Sequence, residues 1–143
     1  MFRSLDETIM VAPQISVADV TAAAAEGVTL IINNRPEDES PDQTEGSAIE
    51  AAAHGAGIDY IAIPVTHAGF SLPQVDAMAA ALSGAQGKVL AYCRSGTRST
   101  LLWALARASR GENPAGLSAK AARAGYDLSP ISTMLDMAAA RNS

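Results

Sequence analysis

The chain has 143 residues, of which 48% are hydrophobic and 17% charged, and its 15 acidic and 10 basic side chains give a net charge of −5. This composition is that of a globular protein and excludes a disordered chain, and the length predicts a single domain over residues 1–143. The acidic balance excludes a nucleic-acid partner, and no apolar run is long enough for a membrane span.

The N-terminus and the cysteine content predict where the protein works. The first ten residues, MFRSLDETIM, carry acidic side chains where a signal peptide would have its apolar stretch. The chain has one cysteine, Cys93, which can form no internal disulfide and fits a reducing compartment. We therefore expect a cytoplasmic protein.

Short apolar runs alternate with helical segments along the chain. In chain order, the predicted elements are a strand at 8–12, a helix at 16–27, a strand at 28–33, a loop at 34–46, a helix at 47–57, a strand at 58–65, a helix at 71–84, a strand at 88–93, and three helices at 99–111, 113–125 and 129–141. The last three strands are almost entirely apolar, which is typical of strands covered on both faces.

This alternation predicts an α/β fold with a mainly parallel central sheet flanked by helices. In such sheets the working site lies at the carboxyl ends of the strands. Loops 34–46, 64–70 and 93–98 leave those ends, so we expect Arg35, His67 and Cys93 to converge.

The sequence AYCRSGTRS, residues 91–99, places the single thiol between a strand and a helix. A backbone that curls between these elements turns its N–H groups inward, which makes an anion-binding nest at a helix N-terminus. Thiols in such surroundings ionise at roughly pH 3.5–7.5 instead of about 8.5. Cys93 is therefore the predicted nucleophile, and the residues expected to bind an anion around it are Arg94, Ser95, Gly96, Thr97 and Arg35.

Three further side chains receive predicted roles in this site. Arg98 offers a planar fork that matches two oxygens of a phosphate or a sulfur oxyanion. The Ser99 hydroxyl is placed to donate a hydrogen bond to the sulfur. His67 is a candidate proton donor, because it lies on a loop at the same end of the sheet.

Other conspicuous residues have structural interpretations. The five carboxylates of residues 37–45 form a solvated loop instead of a metal site, so neither a metal nor another cofactor is expected. His54 fits the end of a helix, where a cation meets the negative end of the dipole. The apolar side chains predicted to fill the core are Met78, Leu102, Trp103, Met134 and Met137.

Three separated motifs carry a resemblance to a known family. INNRPEDE at 32–39, IPVTHAG at 63–69 and VLAYCRSGTRS at 89–99 resemble the bacterial phosphatase-like domain called beta-lactamase hydrolase-like, over residues 2 to 110 or so. The last motif is also similar to the active-site loops of cysteine phosphatases and rhodaneses. The resemblance implies a fold like that of the dual-specificity phosphatases.

The loop spacing and the lack of an acid favour sulfur transfer over phosphate hydrolysis. Protein tyrosine phosphatases have five residues between cysteine and arginine, whereas this chain has four, as rhodanese-type sulfur transferases do. The phosphatases also keep an aspartate some thirty residues before the cysteine, and IPVTHAGFS has none there. The leading hypothesis is a sulfur transferase that forms a Cys93 persulfide from a small sulfane-sulfur donor and passes the sulfur to an external thiol.

Two alternatives stay open from the sequence. A phosphatase would carry a phosphoryl group on Cys93 and take a proton from His67 or water. A non-catalytic sensor would bind an anion or a persulfide in the same loop and report it to a partner protein.

Overall fold

A computed structural model describes residues 1–141 as a sheet with helices on both faces. The strands are β1 (Arg3–Ser4), β2 (Ile9–Ala12), β3 (Val28–Asn33), β4 (Asp59–Ala62) and β5 (Lys88–Tyr92). The helices are α1 (Val17–Ala25), α2 (Gly46–Gly55), α3 (Leu72–Gly84), α4 (Thr97–Ser109), α5 (Pro114–Arg123) and α6 (Ser132–Arg141), with a 3-10 turn at Ser129–Ile131 before α6.

The strand order is β1-β2-β5-β3-β4, with every pair parallel except β1 with β2. Helices α3, α4, α5 and α6 cover the larger core, on one face, while α1 and α2 cover the other. The predicted α/β fold with a mainly parallel sheet is therefore confirmed.

Local sequence signals fix several helix ends as predicted. Ser16 accepts from the Asp19 backbone N–H, and the Asp19 carboxylate accepts from the Ser16 backbone, which closes a capping box at the start of α1. Ser71 and Gln74 form the same box at α3, where Pro73 occupies the first turn. His54 lies in the last turn of α2.

The structure departs from the predicted elements at the sheet edges. The segment 58–65 was expected to be a buried strand, but β4 is an edge strand of four residues, and three of them are exposed. The edge of the sheet opposite β4 is formed by β1, a two-residue antiparallel strand with no periodic signal of its own. Helix α4 starts at Thr97, two residues before the predicted position.

The core prediction is correct for three of the five residues named. Met78, Leu102 and Trp103 are fully buried. Met134 and Met137 are not: both are exposed and line a surface groove between α3 and α6. A methionine in a helical pattern can lie on either face of the helix. The pattern does not show which face packs against the core, so the prediction for these two residues was wrong.

The position of β5 brings the loops of its neighbours together. β5 lies between β2 and β3, and the pairing continues beyond the strand ends. The Cys93 backbone N–H donates to the Ala12 carbonyl at 3.4 Å, and the Asn34 N–H donates to the Tyr92 carbonyl at 2.8 Å. The loops after β2, β3 and β5 therefore open on one edge. No helix within residues 1–141 has the length and apolarity that a bilayer span requires.

Candidate active site

Cys93 lies at the centre of this edge, immediately after β5, and its side chain is fully buried. The Gly96 backbone N–H donates to the Cys93 Sγ at 3.1 Å. This return of the chain needs the left-handed backbone of Gly96, whose φ is 90°. Helix α4 begins at the next residue, so its N-terminus faces the sulfur. The cysteine loop, residues 93–98, thus brings a backbone N–H and a helix N-terminus to the sulfur, and both are components of an anion-binding nest.

The Arg98 guanidinium is held by two groups from other loops. Nη1 donates to Glu39 Oε2 at 2.7 Å and to the Val65 carbonyl at 2.6 Å, while Nη2 donates to Glu39 Oε1 at 2.8 Å. Within residues 1–141, Nε and the second Nη2 hydrogen donate to no oxygen acceptor, and the guanidinium lies within reach of a weak hydrogen bond to the Cys93 thiol. These two N–H groups form the side-on edge of the guanidinium, which is a fork for a tetrahedral anion.

The Cys93 sulfur lies close to that fork. The pKa of Arg98 is raised, chiefly by the Glu39 hydrogen bonds and also by its proximity to the Cys93 thiol. An anion bound over the sulfur would therefore meet the free edge of Arg98 and the N–H groups of the loop together.

Glu39 is the site residue that the sequence analysis missed. Its carboxylate accepts hydrogen bonds from both η nitrogens of Arg98 and from Arg35 Nε, the last at 2.9 Å. The Arg98 hydrogen bonds are the main cause that lowers the pKa of Glu39 to about 2, and the Arg35 hydrogen bond adds to them. Glu39 is therefore ionised at neutral pH and fixes the orientation of Arg98. It belongs to the acidic loop, residues 37–45, which the sequence analysis treated as solvated.

Arg35 lies behind Glu39 instead of lining the anion nest directly. It is 4% exposed, and it donates to Glu39, to Gln14 Oε1 at 3.0 Å and to Ser40 Oγ at 3.2 Å. These bonds fasten the acidic loop to the loop after β2. The expected meeting of Arg35 with Cys93 is therefore indirect. Arg35 binds Glu39, and Glu39 binds Arg98 beside the cysteine.

The Ser99 hydroxyl has a different partner from the one expected. It donates to Asn34 Oδ1 at 2.8 Å, and Asn34 Nδ2 in turn donates to the Ile63 carbonyl at 2.9 Å. Ser99 and Asn34 are both fully buried. A hydroxyl has one hydrogen to donate, so Ser99 gives none to the Cys93 sulfur. Its role here is to tie α4 to the chain that follows β3 and β4.

The outer residues of the cysteine loop lie at the surface. Ser95 Oγ donates to Thr97 Oγ1 at 3.0 Å and accepts the Thr97 backbone N–H at 3.4 Å, which supports the start of α4. Arg94 is exposed; the hydrogen bond from Ser40 is the main cause that lowers the pKa of Asp42, and the nearby charge of Arg94 adds a small contribution. The structure thus places all three at the rim of the nest.

His67 is exposed on the loop of residues 64–70, at the predicted end of the sheet. That loop reaches the site through the Val65 carbonyl, which accepts from Arg98 Nη1. Thr66 Oγ1 accepts the Ala68 backbone N–H at 3.1 Å and shapes the turn around His67. His67 thus lies at the solvent side of this loop, two residues after the carbonyl that binds Arg98. Within the described residues, no cluster of three or more His, Cys, Asp or Glu side chains could hold a metal ion.

Comparison with known proteins places this geometry in a family. Residues 1–110 match the family described as the phosphatase-like domain of beta-lactamase hydrolase-like protein. The chain belongs to this family. It is 35% identical over 107 residues to the beta-lactamase hydrolase-like protein of Agrobacterium fabrum, a match that covers 75% of this chain and 25% of that protein. The chain thus spans about a quarter of the length of the curated relatives it matches.

Solved structures agree with this placement. A protein of Neisseria meningitidis, provisionally described as a phosphatase, is 34% identical with a TM-score of 0.83, and the match covers 95% of this chain and 96% of that one. PTPMT1 has a TM-score of 0.75 at 16% identity, covering 99% of this chain and 98% of that one, which shows a shared fold alone. The comparisons confirm the cysteine-phosphatase fold. They favour the phosphatase alternative over the sulfur transferase that the loop spacing suggested.

Proposed function

We propose that this domain is a cysteine-dependent phosphatase that hydrolyses small phosphate monoesters. The observation that carries the proposal is the free side-on edge of Arg98, positioned by Glu39 and Val65 beside a buried Cys93 whose sulfur accepts the Gly96 N–H. A phosphoryl group needs a nucleophile on one side and donors for its equatorial oxygens. The cysteine loop and Arg98 supply both.

In the first step, the Cys93 thiolate attacks the phosphorus atom. The S–P bond forms while the bond from phosphorus to the ester oxygen breaks, and the leaving oxygen takes a proton. His67 supplies that proton for a poor leaving group, because its loop adjoins Arg98. In the second step, water attacks the phosphocysteine, its proton returns to His67, and inorganic phosphate leaves with the Cys93 thiolate restored.

Glu39 does not supply the general acid whose absence the sequence raised against a phosphatase. The loop 64–70 carries no carboxylate, and this absence favours sulfur transfer over phosphate hydrolysis. The acidic loop instead supplies Glu39 from the other side of Arg98. With its pKa near 2, Glu39 holds the arginine and does not act as the acid. The role of acid is therefore left to His67 or to solvent.

Sulfur transfer is the second candidate, and the four-residue spacing between Cys93 and Arg98 favours it. In that reaction the thiolate attacks a sulfane sulfur, an S–S bond forms on Cys93, and the remainder of the donor leaves as a thiolate or sulfite. An external thiol then takes the sulfur. The chain has no second cysteine that could do so. No proton donor of the phosphatase kind is required.

A paired turnover assay separates these reactions. Purified protein and Cys93→Ser would be given an aryl phosphate, an alkyl phosphate and, separately, thiosulfate with a thiol or cyanide acceptor. We expect Cys93-dependent phosphate release and no sulfur transfer. We also expect His67→Gln to slow the alkyl ester more than the aryl ester, because the aryl oxygen leaves without a proton. Sulfur transfer without phosphate release would refute the proposal, and anion binding without either turnover would support the sensor.

A further inference from the structure

Tyr126 lies against the outer face of the cysteine loop. It follows α5, beyond the residues 1–110 that match the family. Its hydroxyl donates to the Ser95 carbonyl at 3.3 Å. A Cβ built on Gly96 would stand 3.1 Å from Tyr126 Cζ and would overlap the hydroxyl. Glycine at position 96 therefore serves two purposes, since it permits the positive φ and leaves room for this ring.

The Ser95 carbonyl and the Gly96 N–H belong to one planar peptide unit. Tyr126 binds the carbonyl end of that unit, and the N–H end donates to the Cys93 Sγ at 3.1 Å. A donor on the carbonyl fixes the rotation of the whole plane. It also polarises the amide, which strengthens the hydrogen bond at the other end.

We propose that Tyr126 is a positioning residue that holds the 95–96 peptide so that its N–H stabilises the Cys93 thiolate. Its hydroxyl acts through the backbone and does not touch the sulfur. The inference does not depend on whether Cys93 transfers a phosphoryl group or a sulfur atom, because both reactions begin from the thiolate.

The tyrosine ring is itself held in place from the other end of the chain. Arg3, on the edge strand β1, has its guanidinium carbon 5.6 Å from the centre of the Tyr126 ring. Arg3 Nη1 donates to the Ala124 carbonyl at 2.9 Å, which fixes the turn that carries the tyrosine. The hydrogen bond from Tyr126 is long for an O–H donor, and the cation–π contact and the packing on Gly96 hold the ring beside the Ser95 carbonyl.

A pH experiment on the Cys93 thiol is affected by the charged and titratable groups around it. Arg98, with Glu39 bound to it, faces Cys93 from α4, and Tyr126 faces it from the loop after α5. Burial raises the pKa of Tyr126, although Arg3 opposes that effect. Tyr126 therefore keeps its proton across the neutral range and stays a hydrogen-bond donor there.

The test is the rate of Cys93 alkylation by iodoacetamide as a function of pH, because only the thiolate reacts. Tyr126→Phe keeps the ring and removes the donor. We expect the midpoint of its profile to move to higher pH by about half a unit, which is roughly a threefold loss of thiolate below the midpoint. The matched control is Ser109→Ala, which removes a hydroxyl that donates to the Ala106 carbonyl at 2.7 Å, at the far end of α4. The control profile should match the unmodified protein.

An unchanged midpoint in Tyr126→Phe would overturn the proposal. Thermal unfolding of both variants accompanies the titration, since a change of stability alone lowers or raises every rate without moving the midpoint. Alkylation uses no substrate. Its result therefore stands even if the domain proves inactive as a phosphatase, and a failure of one claim leaves the other intact.

Discussion

Glu39 binds Arg98 with both carboxylate oxygens and Arg35 with one of them, and so links the acidic loop to the cysteine loop. Cys93, Gly96 and Arg98 stand within six positions, so their spacing alone predicts a nest for an anion. Glu39 lies 59 residues before Arg98 and is one of five carboxylates in the acidic loop. Which carboxylate meets the arginine depends on how Arg35 anchors that loop. No local pattern contains this information.

Replacement of Glu39 tests its role in positioning Arg98. In Glu39→Gln the guanidinium loses its charged partner, so the free edge that faces Cys93 is no longer fixed. We predict a fall in kcat for aryl phosphate hydrolysis of about 10–100-fold, because small errors in placement cost that much. Glu45→Gln is the matched control, since Glu45 is exposed on the same loop and its side chain makes no capping bond. Equal kcat values in the two variants would contradict the assigned role.

The lowered pKa of Glu39 also predicts how stability changes with pH. A carboxyl whose pKa falls from 4.5 to about 2 on folding stabilises the fold above its unfolded pKa, and that stabilisation is lost as pH falls toward 2. Urea unfolding of the unmodified protein and Glu39→Gln, repeated from about pH 6 down to about pH 2, measures the difference. We expect a difference that is constant at the upper end and shrinks between pH 4.5 and 2. A difference that does not change over this range would show that the ion pair adds no stability.

At the scale of secondary-structure elements, residues with strong local signals behave as predicted. Ser16, Asp19 and Ser71 cap helices where the sequence places them. The exposure of β4 was not predictable in the same way. Its sequence is as apolar as that of a central strand, and only the strand order, which is a long-range property, puts it at the edge.

The buried Ser99–Asn34 pair joins elements that are distant in sequence, so its loss should destabilise the fold. In Ser99→Ala the side-chain oxygen Oδ1 of Asn34 is left buried without its donor. This lowers the free energy of unfolding by about 1–3 kcal/mol. The matched control is Ser118→Ala on the exposed side of α5, where alanine is neutral or slightly favourable. Urea unfolding gives both values. If Ser99→Ala instead shifted the pH profile of Cys93 alkylation and left stability unchanged, Ser99 would donate to the Cys93 sulfur, as the sequence predicts.

At the scale of the whole molecule, the alternation of strands and helices and the family motifs together predicted the fold class. They could not predict the division of the core into two clusters, because that division depends on which helices cross to which face of the sheet. Trp103 is the only tryptophan and lies fully buried in the larger cluster.

A single domain should unfold in one cooperative transition. We predict that urea unfolding followed by Trp103 fluorescence coincides with unfolding followed by far-ultraviolet circular dichroism, because the tryptophan and the sheet belong to one packed unit. Two separated transitions would show that the two faces of the sheet unfold independently.

A cysteine-dependent phosphatase of this kind carries a phosphoryl group on Cys93 during turnover. The most direct measurement is the intact mass of protein quenched in acid during the reaction with an aryl phosphate, with Cys93→Ser treated in parallel. We predict an added phosphoryl group that peptide analysis places on Cys93 and that is absent from the variant. Phosphate release with Cys93 unmodified would contradict this prediction. So would a sulfur atom added to Cys93 when thiosulfate replaces the aryl phosphate.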